Sequence, residues 1–242
     1  MRYWLTTVPV VCLLASAWAD VEETAANNEK LLGQFAAAFE DAVVALSSVQ
    51  SKSEADVVAS RVAVDFILLQ KLNREVLRIN TNAVSPAFAR EFAERCTKAQ
   101  QQVKAAAERL STVRCFGSKA LESALTLASL VSGKLDDAVA IQACRELVLN
   151  NLELSNRLLK EVKDYDSAEK IAPMLKVSLS CGRMISEFRS GLESREGILP
   201  PEPDFEQRLQ RFREESAKHL ELLQIDGFYD CVALRDVLQA SP

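Results

Sequence analysis

The chain has 242 residues, 29 basic and 34 acidic side chains, one histidine, and only seven glycines and seven prolines. A net charge of −5 with no basic stripe excludes a nucleic-acid binder, which needs clustered cations to displace phosphate counterions. With few turn formers and much Ala, Leu, Glu, Lys, Arg and Gln, the composition predicts an all-α fold of long helices and few connections.

Met1-Arg2 precede an apolar stretch from Val8 to Ala15, and Ala17-Trp18-Ala19 stand directly before Asp20. A basic start, a short apolar core and small residues at the end have the pattern of a secretory signal, so residues 1–19 are expected to be removed after Ala19. The apolar core is shorter than the roughly 20 residues that span a bilayer, so no stable membrane span is expected after cleavage. Pro9-Val10-Val11 do not make a lipobox before Cys12, which leaves with the peptide. The chain that remains has 28 basic and 34 acidic groups, no tryptophan, and Tyr165 and Tyr229 as its tyrosines. Sugar binding on stacked aromatic platforms is disfavoured.

Leu32, Phe35, Phe39, Ala42, Leu46 and Val49 alternate spacings of three and four, which predicts a first helix over 24–50 with one apolar stripe. Ser53 opens S-E-A-D and is expected to cap a second helix carrying Val58, Val62, Phe66, Leu69, Leu72, Val76 and Ile79. After a loop over 80–84, Ser85-Pro86 supply a cap and a first-turn proline. The third helix then carries Phe88, Phe92, Cys96, Ala99, Val103, Ala106 and Leu110 in heptad spacing. Gly117 separates it from a short fourth helix over 118–131.

The second half repeats this order, with a helix over 133–163 and another capped by Asp166 in D-S-A-E. Pro200-Pro201-Glu202-Pro203 form the next loop, followed by a helix from Asp204 to Leu223 and a short last one over 229–239. A shift of 113 residues places Phe39 on Leu152, Leu46 on Leu159, Val62 on Leu175 and Phe66 on Leu179. Past the proline loop a shift of 117 places Phe88 on Phe205, and one of 116 places Cys115 on Cys231. The expected architecture is an elongated helical bundle of two tandem four-helix units, 20–131 and 132–242.

At C-F-G-S-K-A-L-E-S-A-L (Cys115 to Leu125) and D-S-A-E-K-I-A-P (Asp166 to Pro173) the chain resembles exported bacterial tandem helical-repeat proteins of unknown function. The first unit has Ser60 where the second has Pro173, and the second lacks Gly-Ser after its aromatic pair. The resemblance implies export and helical repeats, and carries over no catalytic residue.

His219, the lone histidine, sits beside the seam of Phe212, Ser216, Leu220 and Leu223, with no neighbouring cluster to make it a base or ligand. No C-x-x-C or H-x-x-x-H spacing announces zinc, no glycine-rich loop cradles phosphate, and no G-x-S-x-G elbow is present. Glu214 and Lys218, four apart, read as a surface pair. Cys96, Cys115, Cys144, Cys181 and Cys231 are odd in number, so at least one is free or bonded to another chain. Disulfide bridges and buried thiols both remain open for the rest. Pro173 and Gly182 fall inside one helix and are expected to bend or loosen it, which makes that region the place for an opening.

These features predict a noncatalytic exported protein, periplasmic or secreted, that needs no cofactor and acts by interaction with a protein partner in the envelope or outside the cell. The alternative is a carrier or sensor of a small apolar ligand held between helices, which calls for a cavity above roughly 300 Å³ lined by apolar side chains.

Overall fold

The computed structural model describes residues 21–79, 84–131, 133, 135–196 and 203–240; the expected signal peptide, residues 80–83 and Pro200 to Glu202 lie outside that set. Described residues form an all-α helical bundle of eight α-helices without strands. The chain divides into two compact units between Asp136 and Asp137. The first contains α1 (Val21–Ser47), α2 (Lys52–Val76), α3 (Pro86–Thr112) and α4 (Lys119–Leu127). The second contains α5 (Asp137–Glu161), α6 (Tyr165–Glu196), α7 (Pro203–Ile225) and α8 (Val232–Gln239). Each unit packs alike: its first helix lies against the second and third, and its second helix also carries the fourth.

Both predicted caps of the second helices move two residues towards the N-terminus. Ser51, not Ser53, caps α2, its Oγ accepting from the Glu54 N–H at 3.2 Å while the Glu54 carboxylate accepts from the Gln50 N–H. At α6 the cap is Asp164, not Asp166. Its carboxylate accepts from the Ser167 N–H, and Ser167 Oγ accepts from the Lys163 and Asp164 N–H groups. These bonds satisfy donors that a helix start leaves without intrahelical partners. Ser85 caps α3 as its sequence indicates, accepting from the Phe88 N–H ahead of Pro86.

Between the third and fourth helices each unit makes the same unusual turn. Arg114, Cys115, Phe116 and Gly117 have φ of +48°, +50°, +54° and +78°, and Gly227, Phe228, Tyr229 and Asp230 have +59°, +56°, +52° and +58°. Six of these eight residues carry a β-carbon, and left-handed backbone costs such residues roughly 1–2 kcal/mol each. Two bonds close each turn: Phe116 N to Val113 O and Ser118 N to Cys115 O, matched by Tyr229 N to Asp226 O and Cys231 N to Phe228 O. Burial of Cys115 and Phe228 anchors both inward.

These matched bonds correct the expected register. A single shift of 113 relates the units throughout: Cys115 corresponds to Phe228, Cys231 to Ser118, and Phe92 rather than Phe88 to Phe205. α3 and α7 then end at equivalent residues, and α7 simply starts one turn later than α3.

The first unit's core centres on Phe35, packed edge-on to Phe39 at 5.3 Å and tilted to Phe92 at 6.2 Å. Phe66, Leu69, Leu121 and Leu127 are also fully buried. Each such side chain contributes about 1.5–3 kcal/mol by leaving water. Arg109 of α3 ties this unit further by donating to the Leu46 and Val49 carbonyls at the end of α1, where cations are favoured. The second unit's core runs through Leu158, Leu159, Ile171, Leu175, Leu223, Phe228 and Leu234.

Candidate functional site

α6 passes through Pro173 and Gly182 as one helix from Tyr165 to Glu196, so neither residue interrupts it. Both line an open groove of about 890 Å³ within the second unit, between α5, α6 and α8. Val148, Asn151 and Leu152 come from α5, and Ala172, Lys176, Leu179, Ser180, Arg183 and Ser186 from α6. Ala233, Asp236 and Val237 come from α8. The lining is mainly apolar.

The origin of the groove is visible residue by residue in the first unit. At the positions of Val148, Leu152, Leu179, Ser180, Gly182 and Ala240 stand Phe35, Phe39, Phe66, Ile67, Leu69 and Leu127, all buried. The second unit is smaller at every one of them. On α2 the stripe Ser60, Ala63, Phe66, Ile67 is buried, whereas its counterpart on α6, Pro173, Lys176, Leu179, Ser180, is exposed or half-buried. The first unit closes this face with α4 and the turn after it, where Val131 O accepts from Asn73 Nδ2 at 3.2 Å; Ser186 replaces Asn73 in the groove.

A small polar seam joins α5 and α6 beside the groove. Asn151 Nδ2 donates to Ser178 O at 2.9 Å, and the Ser155 and Ser178 hydroxyls bond at 3.0 Å. A β-carbon on Gly182 would lie 2.6 Å from Asn151 Oδ1, so glycine lets α5 and α6 approach with Asn151 between them. Lys176 has no ion-pair partner among the described residues. Arg183 lies 3.6 Å from the exposed Glu187, and Asp236 3.9 Å from Arg235.

The other sequence candidates are not brought together. Cys96, Cys115, Cys144, Cys181 and Cys231 are all buried. Burial pushes the Cys96 and Cys144 thiols up to about 12 and Cys115 up to about 11, which removes the thiolate that nucleophilic attack needs. His219 is half-buried on α7 and has no hydrogen-bond or ion-pair partner among the described residues. Glu215 pairs instead with Arg211 and Lys160, and Glu214 accepts from Gln210 rather than pairing with Lys218. Among the described residues no group of His, Cys, Asp and Glu is placed to hold a metal ion.

Two polar clusters carried no sequence signal. Arg145 is buried 3.2 Å from Glu193, and Phe205 lies 5.7 Å from the guanidinium carbons of both Arg145 and Arg189, a cation–π arrangement in which Phe205 stands at the position of Phe92 and the two arginines at those of Leu32 and Val76. Asp65, at the position of Ser178, is buried with no hydrogen-bond partner for Oδ2. Its carboxyl is pushed up to about 7 by burial, against the pull of Arg61 and with a small push from Asp41.

Among the described residues no helix is long and apolar enough to cross a membrane. No protein-family model, curated protein or solved structure matches the chain.

Proposed function

We propose that the chain is an exported, noncatalytic binding protein whose second unit holds a small apolar ligand in the groove between α5, α6 and α8. The comparison of the two units carries this reading: positions that fill a phenylalanine core in the first unit are reduced to Val148, Leu152, Leu179, Ser180 and Gly182 in the second. The space of about 890 Å³ lies within the roughly 300–1,000 Å³ range of ligand pockets. Each methylene a ligand buries there is worth about 0.8 kcal/mol. Export rests on the signal-like residues 1–19.

The test uses an uncharged environment-sensitive dye, N-phenyl-1-naphthylamine, with the wild-type chain and with Asn151→Ala/Gly182→Leu, which installs the first unit's Ala38 and Leu69. Saturable fluorescence in the wild type, lost in a folded double variant, is expected. Equal fluorescence in both would sink the groove. Native mass spectrometry of the protein from its own exporting cells would then show the ligand as mass that leaves on denaturation.

A second reading, docking of a partner helix, is favoured by a different face of α6. Met174, Val177 and Met184 are exposed there, 48%, 56% and 37%, at heptad spacing with Cys181, where α2 carries Arg61, Val64 and Lys71. Met174→Lys/Met184→Lys would abolish partner capture under that reading and leave dye binding untouched.

A further inference from the structure

We infer that the groove selects a single-chain carboxylate amphiphile, its tail on the apolar floor and its head at Lys176 and Arg183, an inference that rests on the groove being a ligand site. The two cations stand seven residues apart on α6, about 10 Å along the helix, on the side that faces the groove. Their counterparts in the first unit are the neutral Ala63 and Gln70. The second unit therefore gains positive charge along the same stripe where it loses apolar bulk.

Solvation of an exposed helix face explains a charged stripe of either sign, but in a chain of net charge −5 the groove's charged lining is Lys176, Arg183 and Asp236, a local excess of one positive charge. Asp236, the acidic member, is beside Arg235, and Glu187 beside Arg183 is exposed to water. Lys176 thus faces the groove without a carboxylate of its own, and a ligand carboxylate supplies the missing partner. Next to it Ala172, Leu179 and Val237 offer a hydrocarbon tail apolar contact. A cationic head would meet Lys176 and Arg183 and be repelled; a neutral head would gain only the tail's burial.

The experiment is displacement of N-phenyl-1-naphthylamine by dodecanoate, dodecanol and dodecyltrimethylammonium, all below their micelle concentrations. Dodecanoate should displace the dye at roughly tenfold lower concentration than dodecanol, and the cation least well. In Lys176→Gln/Arg183→Gln the dodecanoate advantage should vanish while dodecanol is unchanged, and added salt should erode it in the wild type. If dodecanol equals dodecanoate in the wild type, the head-group assignment is overturned and the groove remains a ligand site. If the dye does not bind the wild type, or binds the filled Asn151→Ala/Gly182→Leu variant equally, the groove itself fails.

Discussion

Asn151 and Gly182 interlock across the α5–α6 seam: the asparagine amide donates to Ser178 O one turn before the glycine, and its Oδ1 occupies space that a β-carbon would need. Glycine in a helix interior costs about 1 kcal/mol against alanine, yet Gly182→Ala should destabilise the protein. The added methyl displaces a buried amide held by its own hydrogen bond, an overpacking worth about 1–3 kcal/mol, so a net loss of about 1 kcal/mol is expected. Asn151→Ala/Gly182→Leu should recover that loss, because the first unit packs Ala38 and Leu69 at the same positions. Urea denaturation of the two singles and the double would measure the coupling; simple additivity would mean that the two residues do not share the space.

Asp65 gives the first unit a pH dependence of definite sign. The unfolded chain loses this proton near the ordinary 3.8, whereas the folded chain holds it to about 7. The contribution of Asp65 to stability is therefore greatest below about 4, falls as pH rises towards 7, and levels off above, with a penalty of up to about 4 kcal/mol at the plateau. Asp65→Ser, which places there the residue that the second unit carries as Ser178, should stabilise the protein strongly at pH 8 and much less at pH 4.5. A gain of the same size at both pH values would show that the carboxyl charge is not what the fold opposes.

Helical periodicity was the legible part. The stripe of Leu32, Phe35, Phe39 and Leu46 announces a helix because every third or fourth residue must meet the core, and α1 buries these side chains. The caps sit two residues before their expected positions because Ser51 and Ser53 both stand at the start of α2, one just outside the helix and one in its first turn, and only the geometry shows which hydroxyl reaches a free N–H. Register failed beyond the proline loop for a related reason: Phe88 resembles Phe205 in type, but burial equates Phe92 with Phe205. Pro173 and Gly182 stood out within their helix, while Lys176 and Arg183 looked like any solvated helix face until the buried Ala63 stripe of α2 gave them a reference.

The left-handed turns offer a test in which equivalent positions respond in opposite directions. Gly227 opens the second turn at φ +59°, with nothing within 4 Å of where its β-carbon would be, and Arg114 opens the first at φ +48°. Gly227→Ala meets no steric neighbour, so its cost is the backbone penalty alone, about 1–2 kcal/mol, reduced by about 0.4–1 kcal/mol for the stiffer unfolded chain. Arg114→Gly reverses both terms and should stabilise by under about 1 kcal/mol. Thermal melts that shift the same way for both variants would mean that side-chain contacts, rather than φ, decide the turn.

The thiols separate two accounts of the five cysteines that follow residue 19. Bridged cysteines would disappear from a thiol titration under any condition, whereas buried free ones are hidden only by the fold. Cys96 and Cys144 are additionally raised from 9.0 to about 12, which lowers their thiolate fraction near pH 8 by about a thousandfold. The native chain lacking residues 1–19 should therefore react slowly with a disulfide reagent, and the denatured chain should yield five thiols at once. Rapid labelling of the native protein would contradict burial, and a denatured count of three or one would replace free thiols with one or two bridges. A count of six would place Cys12, and with it the signal-like segment, still on the chain.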